Sequence, residues 1–147
     1  MENINFIKST LKFSILGLFI PGFTAVALLG IQMLLSAFGI ECTVSWKIIW
    51  TITTILGISL PFIFANYITN ITDEKLKKVK SKFTIFNLVE YVCIQSSLGC
   101  YFSSSNTLCY VSDGQNGLEL VFTAWLAIPI LILLSFVFKE TISYTEE

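Results

Sequence analysis

The chain has 147 residues, of which 54% are hydrophobic and 13% charged, and its formal net charge is -1. A soluble domain carries about 25% charged residues, and a water-exposed surface with so few charges would show large apolar patches that soluble monomers avoid. All nine basic residues are lysines, so the arginines and histidines on which many enzymes and nucleic-acid-binding proteins depend are missing. The composition predicts a single integral membrane domain, 1–147, that does not bind nucleic acid.

Four apolar segments are long enough to cross a hydrocarbon core of roughly 30 Å, which takes about 20 helical residues. We predict spans at roughly 13–38, 48–70, 83–102 and 119–138. The connections between them are 39–47, 71–82 and 103–118. Three of the spans contain a proline, which predicts a bend in each; these are Pro21, Pro61 and Pro129.

The third predicted span is the least apolar, because it includes Asn87, Glu90 and Gln95. Without it, the apolar stretches around these residues would lie in a loop of about 45 residues, which is unusual in a compact protein. We therefore keep 83–102 as a span.

The lysines are distributed unevenly between the two sides of this arrangement. Eight of the nine lie in the termini and in 71–82, on one side, and only Lys47 lies on the other. Short cytoplasmic loops are enriched in lysine, so both termini and 71–82 are predicted to be cytoplasmic, and 39–47 and 103–118 are outer loops. The predicted fold class is an all-α membrane protein, a four-helix transmembrane bundle. A bacterial inner membrane is the expected location.

Three of the four cysteines, Cys42, Cys100 and Cys109, fall on the predicted outer side, where disulfides persist. Cys100 and Cys109 bracket a short polar segment, so we predict a disulfide between them. Pairing of Cys42 with either one is the alternative, because sequence alone does not rank the connectivities.

Four spans, inward termini and outer cysteines resemble the quinone-coupled membrane oxidases that make disulfides for periplasmic thiol oxidases. The resemblance covers topology only. Those enzymes carry a C-x-x-C pair in the first outer loop, where this chain has Cys42 alone, and the arginine on their quinone side has no counterpart here. The resemblance implies a thiol-oxidase activity that uses outer-loop cysteines.

Glu90 is the one acidic or basic residue in the interior of a predicted span, and such residues are costly and mark candidate functional sites. Helical periodicity puts Asn87 on the same face, and the second span brings Asn66 and Tyr67 to a similar depth. We predict a buried polar cluster of these four side chains, with Glu90 protonated because burial without a cation disfavours its charged form. Hydrogen bonding between helices is the simpler interpretation, and a proton-linked or solute-conducting site is the alternative.

The sequence has no phosphate-binding loop, no metal-ligand cluster and no nucleophile beside a base. We therefore predict no catalytic residue, no metal and no cofactor. The expected function is that of a small non-enzymatic membrane protein that contacts the bilayer and either another membrane protein or itself, as accessory subunits and immunity proteins against pore-forming toxins do. A small transporter or carrier subunit with a polar site around Glu90 is the second hypothesis, because proline-interrupted spans occur in transporters. No repeat relates 1–72 to 83–147. Thiol oxidation is the third hypothesis.

Overall fold

The computed structural model of the chain describes residues 5–19, 21–70, 76–110 and 118–145. These residues form α-helices and contain no strand. The helices are α1 (Phe6–Phe19), α2 (Pro21–Ala37), α3 (Cys42–Thr69), α4 (Leu76–Phe102), α5 (Ser105–Tyr110) and α6 (Leu118–Thr145).

Two helices are long and apolar enough to cross a membrane. They are α3 and the segment Val121–Thr141 of α6. Together, α1 and the Thr24–Ala37 part of α2 are also long and apolar enough; they are bent by 73° relative to each other and make a third crossing if the pair is one span. At 1.5 Å per residue, the 28 residues of α3 reach about 42 Å, more than a hydrocarbon core requires. The prediction of an all-helical protein with membrane-length apolar helices is confirmed for the described residues.

Helix α4 packs against α1, α3 and α6, and α6 in turn packs against α1, α2, α3 and α4. The contacts of α4 with α3 define an antiparallel register. The Thr53 hydroxyl donates a hydrogen bond to Ser96 Oγ at 2.8 Å. About three helical turns away along both helices, the ring of Phe64 stacks on that of Phe86 at 4.8 Å. Residues further along α3 are therefore level with residues further back along α4.

Two groups of buried apolar side chains mark opposite ends of the bundle. The first, the phenylalanine cluster, joins α1, α3, α4 and α6 and consists of Phe6, Phe64, Ile68, Val79, Phe83, Phe86 and Phe138. The second, the tryptophan cluster, joins α2 to the start of α3 and consists of Ala25, Leu28, Trp46, Ile49 and Trp50. Because α1 begins in the first cluster and α2 packs in the second, the bent pair runs from one end of the bundle to the other.

A disulfide between Cys42 and Cys109 joins the first residue of α3 to α5, with the two Cα atoms 6.0 Å apart. This differs from the predicted pairing of Cys100 with Cys109. The reason is that α4 continues to Phe102, which keeps Cys100 on the helix as an exposed free thiol. The short helix α5 then directs Cys109 towards α3.

Candidate functional site

The most polar part of the interior lies along α4. Asn87, Glu90 and Gln95 are 2%, 1% and 0% exposed. The opposite side of the same helix presents Leu88 and Val89, which are exposed. Because each residue advances about 100° around a helix, α4 separates a polar inner face from an apolar outer face, and its polar side chains are held inside the bundle.

Helix α1 supplies the partner of Asn87. The Asn87 amide donates to Thr10 Oγ1 at 3.3 Å, and Thr10 is fully buried. The Ser14 hydroxyl donates to the Thr10 carbonyl at 2.7 Å, which is a bond within α1. Sequence reasoning missed Thr10 because it lies before the apolar run taken as the first span, whereas α1 begins at Phe6. The polar sequence Lys8-Ser9-Thr10 gives no sign of burial by itself.

Tyr91 extends from α4 towards α1. Its ring meets that of Phe13 edge-on at 5.6 Å, and its hydroxyl lies 3.3 Å from the position a Cβ atom would occupy at Gly17. A larger residue at Gly17 would therefore require the Tyr91 side chain to shift by a few tenths of an ångström. Neither the Tyr91 hydroxyl nor Glu90 Oε2 makes a hydrogen bond with any residue that the structure describes.

The structure does not bring Asn66 and Tyr67 to Glu90. Asn66 is exposed, and its side-chain oxygen accepts from the Asn70 amide at 3.1 Å. The Tyr67 ring lies beneath Lys82 Nζ, 4.3 Å from it. The physical reason is the helical period: the buried face of α3 at this end is set by Phe64, and Asn66 lies about 200° around the helix from it.

On its other side, α4 meets α3 through small and hydroxyl side chains. Besides the Thr53–Ser96 bond, the Thr54 hydroxyl donates to Ser97 Oγ at 3.2 Å. One turn further along α3, a Cβ placed on Gly57 would lie 3.5 Å from Cys93 Cβ. Small residues let membrane helices approach closely, and here they hold α3 against the polar helix.

The phenylalanine cluster closes the bundle beyond Glu90. Phe64 has its ring centroid 4.8 Å from Phe86, 5.0 Å from Phe138 and 5.5 Å from Phe83. Phe6 of α1 adds an edge-on contact with Phe83 at 4.8 Å. These distances leave the rings in direct contact across all four elements, so apolar packing separates the polar interior from this end of the bundle.

Within the described part of the chain, no three histidine, cysteine or acidic residues lie close enough together to bind a metal ion. The polar interior instead offers carboxyl, amide and hydroxyl oxygens.

The described residues define an all-helical protein with apolar helices long enough to cross a membrane. Among these residues, the largest buried polar side chains lie along α4. Comparisons with protein-family models, with characterised proteins and with solved structures return no match to this chain.

Proposed function

We propose that the chain crosses the membrane four times, with α4 as a full span and α1 with α2 as one broken span. The composition of α4 alone argues against this, because hydropathy averages over all its residues. A lipid molecule meets only the outer face, however, and there α4 presents Ile85, Leu88 and Val89. Helix α4 packs along the apolar helices α3 and α6, so it would lie at the same depth in the membrane as they do.

Charge and disulfide chemistry support one orientation. The lysines Lys8, Lys78, Lys82 and Lys139 lie next to the phenylalanine cluster, whereas the Cys42–Cys109 disulfide lies at the tryptophan cluster. Lysine favours the cytoplasmic side, and disulfides persist outside the cytoplasm. Both indications favour cytoplasmic termini in a bacterial inner membrane, with the disulfide in the periplasm. Reporter fusions at the two termini test this orientation: both should report cytoplasmic locations.

We further propose that the protein acts through its outer surface, by contact with another integral membrane protein or a second copy of itself. The observation that carries this proposal is the phenylalanine cluster, which fills the bundle at the end where a pathway through Glu90 would have to open. A protein whose interior is packed in this way offers its outward faces for function. Accessory subunits and immunity-type proteins work in this manner.

Crosslinking inside the membrane tests the proposal directly. A photoreactive residue is placed at exposed positions on three different faces, Met33 of α2, Phe62 of α3 and Leu133 of α6. We expect one face to crosslink to protein, with a fixed stoichiometry by native mass spectrometry, and the others to crosslink to lipid alone. Lipid adducts at all three positions would contradict the proposal.

Flux measurements distinguish the second hypothesis. The purified protein is reconstituted into liposomes loaded with a pH-sensitive or a potential-sensitive dye. A non-transporting protein leaves both signals at the level of empty liposomes. Flux that disappears with Glu90→Gln would replace the interaction proposal with a transport function.

A further inference from the structure

The end of α4 that lies at the phenylalanine cluster carries an amphiphilic stripe on its outer face. The stripe consists of Lys78, Lys82, Ile85 and Val89, which follow one another at intervals of three or four residues and so lie on one side of the helix. All four side chains are exposed, Ile85 by 59% and Val89 by 39%. The stripe therefore begins with two ammonium groups and continues as apolar surface.

Helix α3 presents a second stripe beside the first. It consists of Tyr67, which is half-buried, and of Ile63 and Leu56, which are exposed and lie on the same side of α3. The Lys82 ammonium lies 4.3 Å from the centroid of the Tyr67 ring, so the two stripes border the same side of the α3–α4 pair. Because the two helices are antiparallel, both stripes run away from this contact in the same direction.

The length of the paired stripes matches one leaflet of a bilayer. Leu56 is eleven residues from Tyr67, which corresponds to about 16 Å along the helix, and Val89 lies about 10 Å from Lys82. A hydrocarbon core of roughly 30 Å gives each leaflet about 15 Å. The two lysines therefore stand at the headgroup end of a shallow apolar groove that is as long as an acyl chain.

The charges of Lys78 and Lys82 favour an anion at this end of the groove. The two lysines are four residues apart on one helix, where like charges repel. Neither forms an ion pair with a residue that the structure describes. The contact with the Tyr67 ring holds the Lys82 ammonium at the groove. An anionic group between the two lysines would accept hydrogen bonds from both and relieve their repulsion.

Two other exposed lysines at this end of the bundle lie away from the groove. Lys8 belongs to α1 and Lys139 belongs to α6. Helix α1 contacts α4 at Asn87, and α6 packs against it at Tyr91. Both of these α4 residues lie at least about 120° around the helix from Ile85. Lys8 and Lys139 therefore share the level of the groove lysines but not their position, which makes them matched controls.

We propose that the groove between α3 and α4 binds an anionic phospholipid, with its phosphate between Lys78 and Lys82 and an acyl chain along Ile63 and Ile85. A zwitterionic phospholipid fits less well, because its own cationic group already balances its phosphate. The inference rests on the proposed position of α4 in the membrane and goes beyond the proposed function, since the occupant of this face is a lipid and not a protein.

Native mass spectrometry of the full chain in detergent tests the proposal, with dioleoyl phosphatidylglycerol and dioleoyl phosphatidylcholine as the probes. We expect phosphatidylglycerol to bind at concentrations at which phosphatidylcholine does not. The double variant Lys78→Gln/Lys82→Gln should weaken this binding by about thirtyfold, because each lysine beside an anionic headgroup contributes roughly a factor of five.

The double variant Lys8→Gln/Lys139→Gln removes the same charge at the same end of the bundle and should retain most of the binding. Equal losses in the two double variants, or equal binding of the two lipids, would overturn the proposal. The measurement in detergent does not depend on the number or direction of membrane crossings, so its failure and a failure of the reporter fusions are distinguishable.

Photolabelling in liposomes locates the acyl chain. A phosphatidylglycerol with a photoreactive group in the middle of one chain is irradiated with the protein, and the labelled peptides are identified by mass spectrometry. We expect adducts to concentrate in 56–67 and 82–89, and to fall in Lys78→Gln/Lys82→Gln to the level seen with the corresponding phosphatidylcholine. Equal labelling of the other outward faces, at Met33 of α2 and Leu133 of α6, would contradict a lipid held in this groove.

Discussion

Replacing Phe64 with alanine should strongly destabilise the bundle. The Phe64 ring contacts three other phenylalanine rings at centroid distances of 4.8, 5.0 and 5.5 Å. Each aromatic pair contributes about 0.5–1.5 kcal/mol beyond the effect of burial. In a soluble protein, exposing the ring to water would add a further free-energy cost. That cost is small here, because the side chain of an unpacked α3 would move from the bundle into lipid, which is also apolar. The three pairs together give an expected loss of about 2–4 kcal/mol.

Phe62 is the matched control for this prediction, because it is the same residue type, two positions away on the same helix, and 74% exposed. Phe62→Ala removes no packed ring and should change the free energy of unfolding by about 0.5 kcal/mol or less. Both variants are unfolded with increasing mole fraction of sodium dodecyl sulfate in mixed micelles and followed by circular dichroism and tryptophan fluorescence. Equal losses for the two substitutions would refute the argument that packing at the phenylalanine cluster stabilises the bundle.

Two further predictions concern the ends and the centre of the bundle. Cys42→Ser should release the Cys109 thiol, which adds a third free thiol to Cys93 and Cys100, and should lower stability by about 2–4 kcal/mol, as measured by thiol labelling and detergent unfolding. Cys100→Ser should leave the disulfide in place, and retention of a disulfide in Cys42→Ser would show that another pairing forms. Gly57→Leu should separate α3 from α4 and destabilise the bundle by about 1–3 kcal/mol. Gly30→Leu is the control and should be tolerated, because no atom lies within 4 Å of a Cβ added there. Similar Tm values for the two leucine variants would contradict the close approach of α3 and α4 at Gly57.

Much of the helical arrangement follows from apolar run length alone. A helix surrounded by lipid needs only a long stretch without charge, and α3 and α6 satisfy that condition. The start of α1 does not, because Thr10 and Lys8 belong to a polar stretch, and only the burial of Phe6 among other rings extends the helix to that residue. Contacts between distant segments of this kind leave no local signal in the sequence.

In the polar site, too, some features follow from local sequence and others depend on contacts between distant segments. The inward position of Asn87 and Glu90 follows from their spacing on one helix and from the cost of exposing them to lipid. Their neighbours depend on which face of α3 turns inward. That face is the one that buries Phe64, so Asn66 is left exposed. The pairing of Cys42 with Cys109 likewise depends on the short helix α5, whose six residues show no periodic pattern long enough to predict.

The covalent bond from Cys42 to Cys109 has a consequence for how the chain matures. It encloses all of α3 and α4, because the two cysteines are 67 residues apart in sequence. Formation of the bond must therefore wait until both helices and α5 have been synthesised and α5 has come beside the start of α3. Once it has formed, a protease cut anywhere between these two helices would leave the fragments attached until a reductant is added.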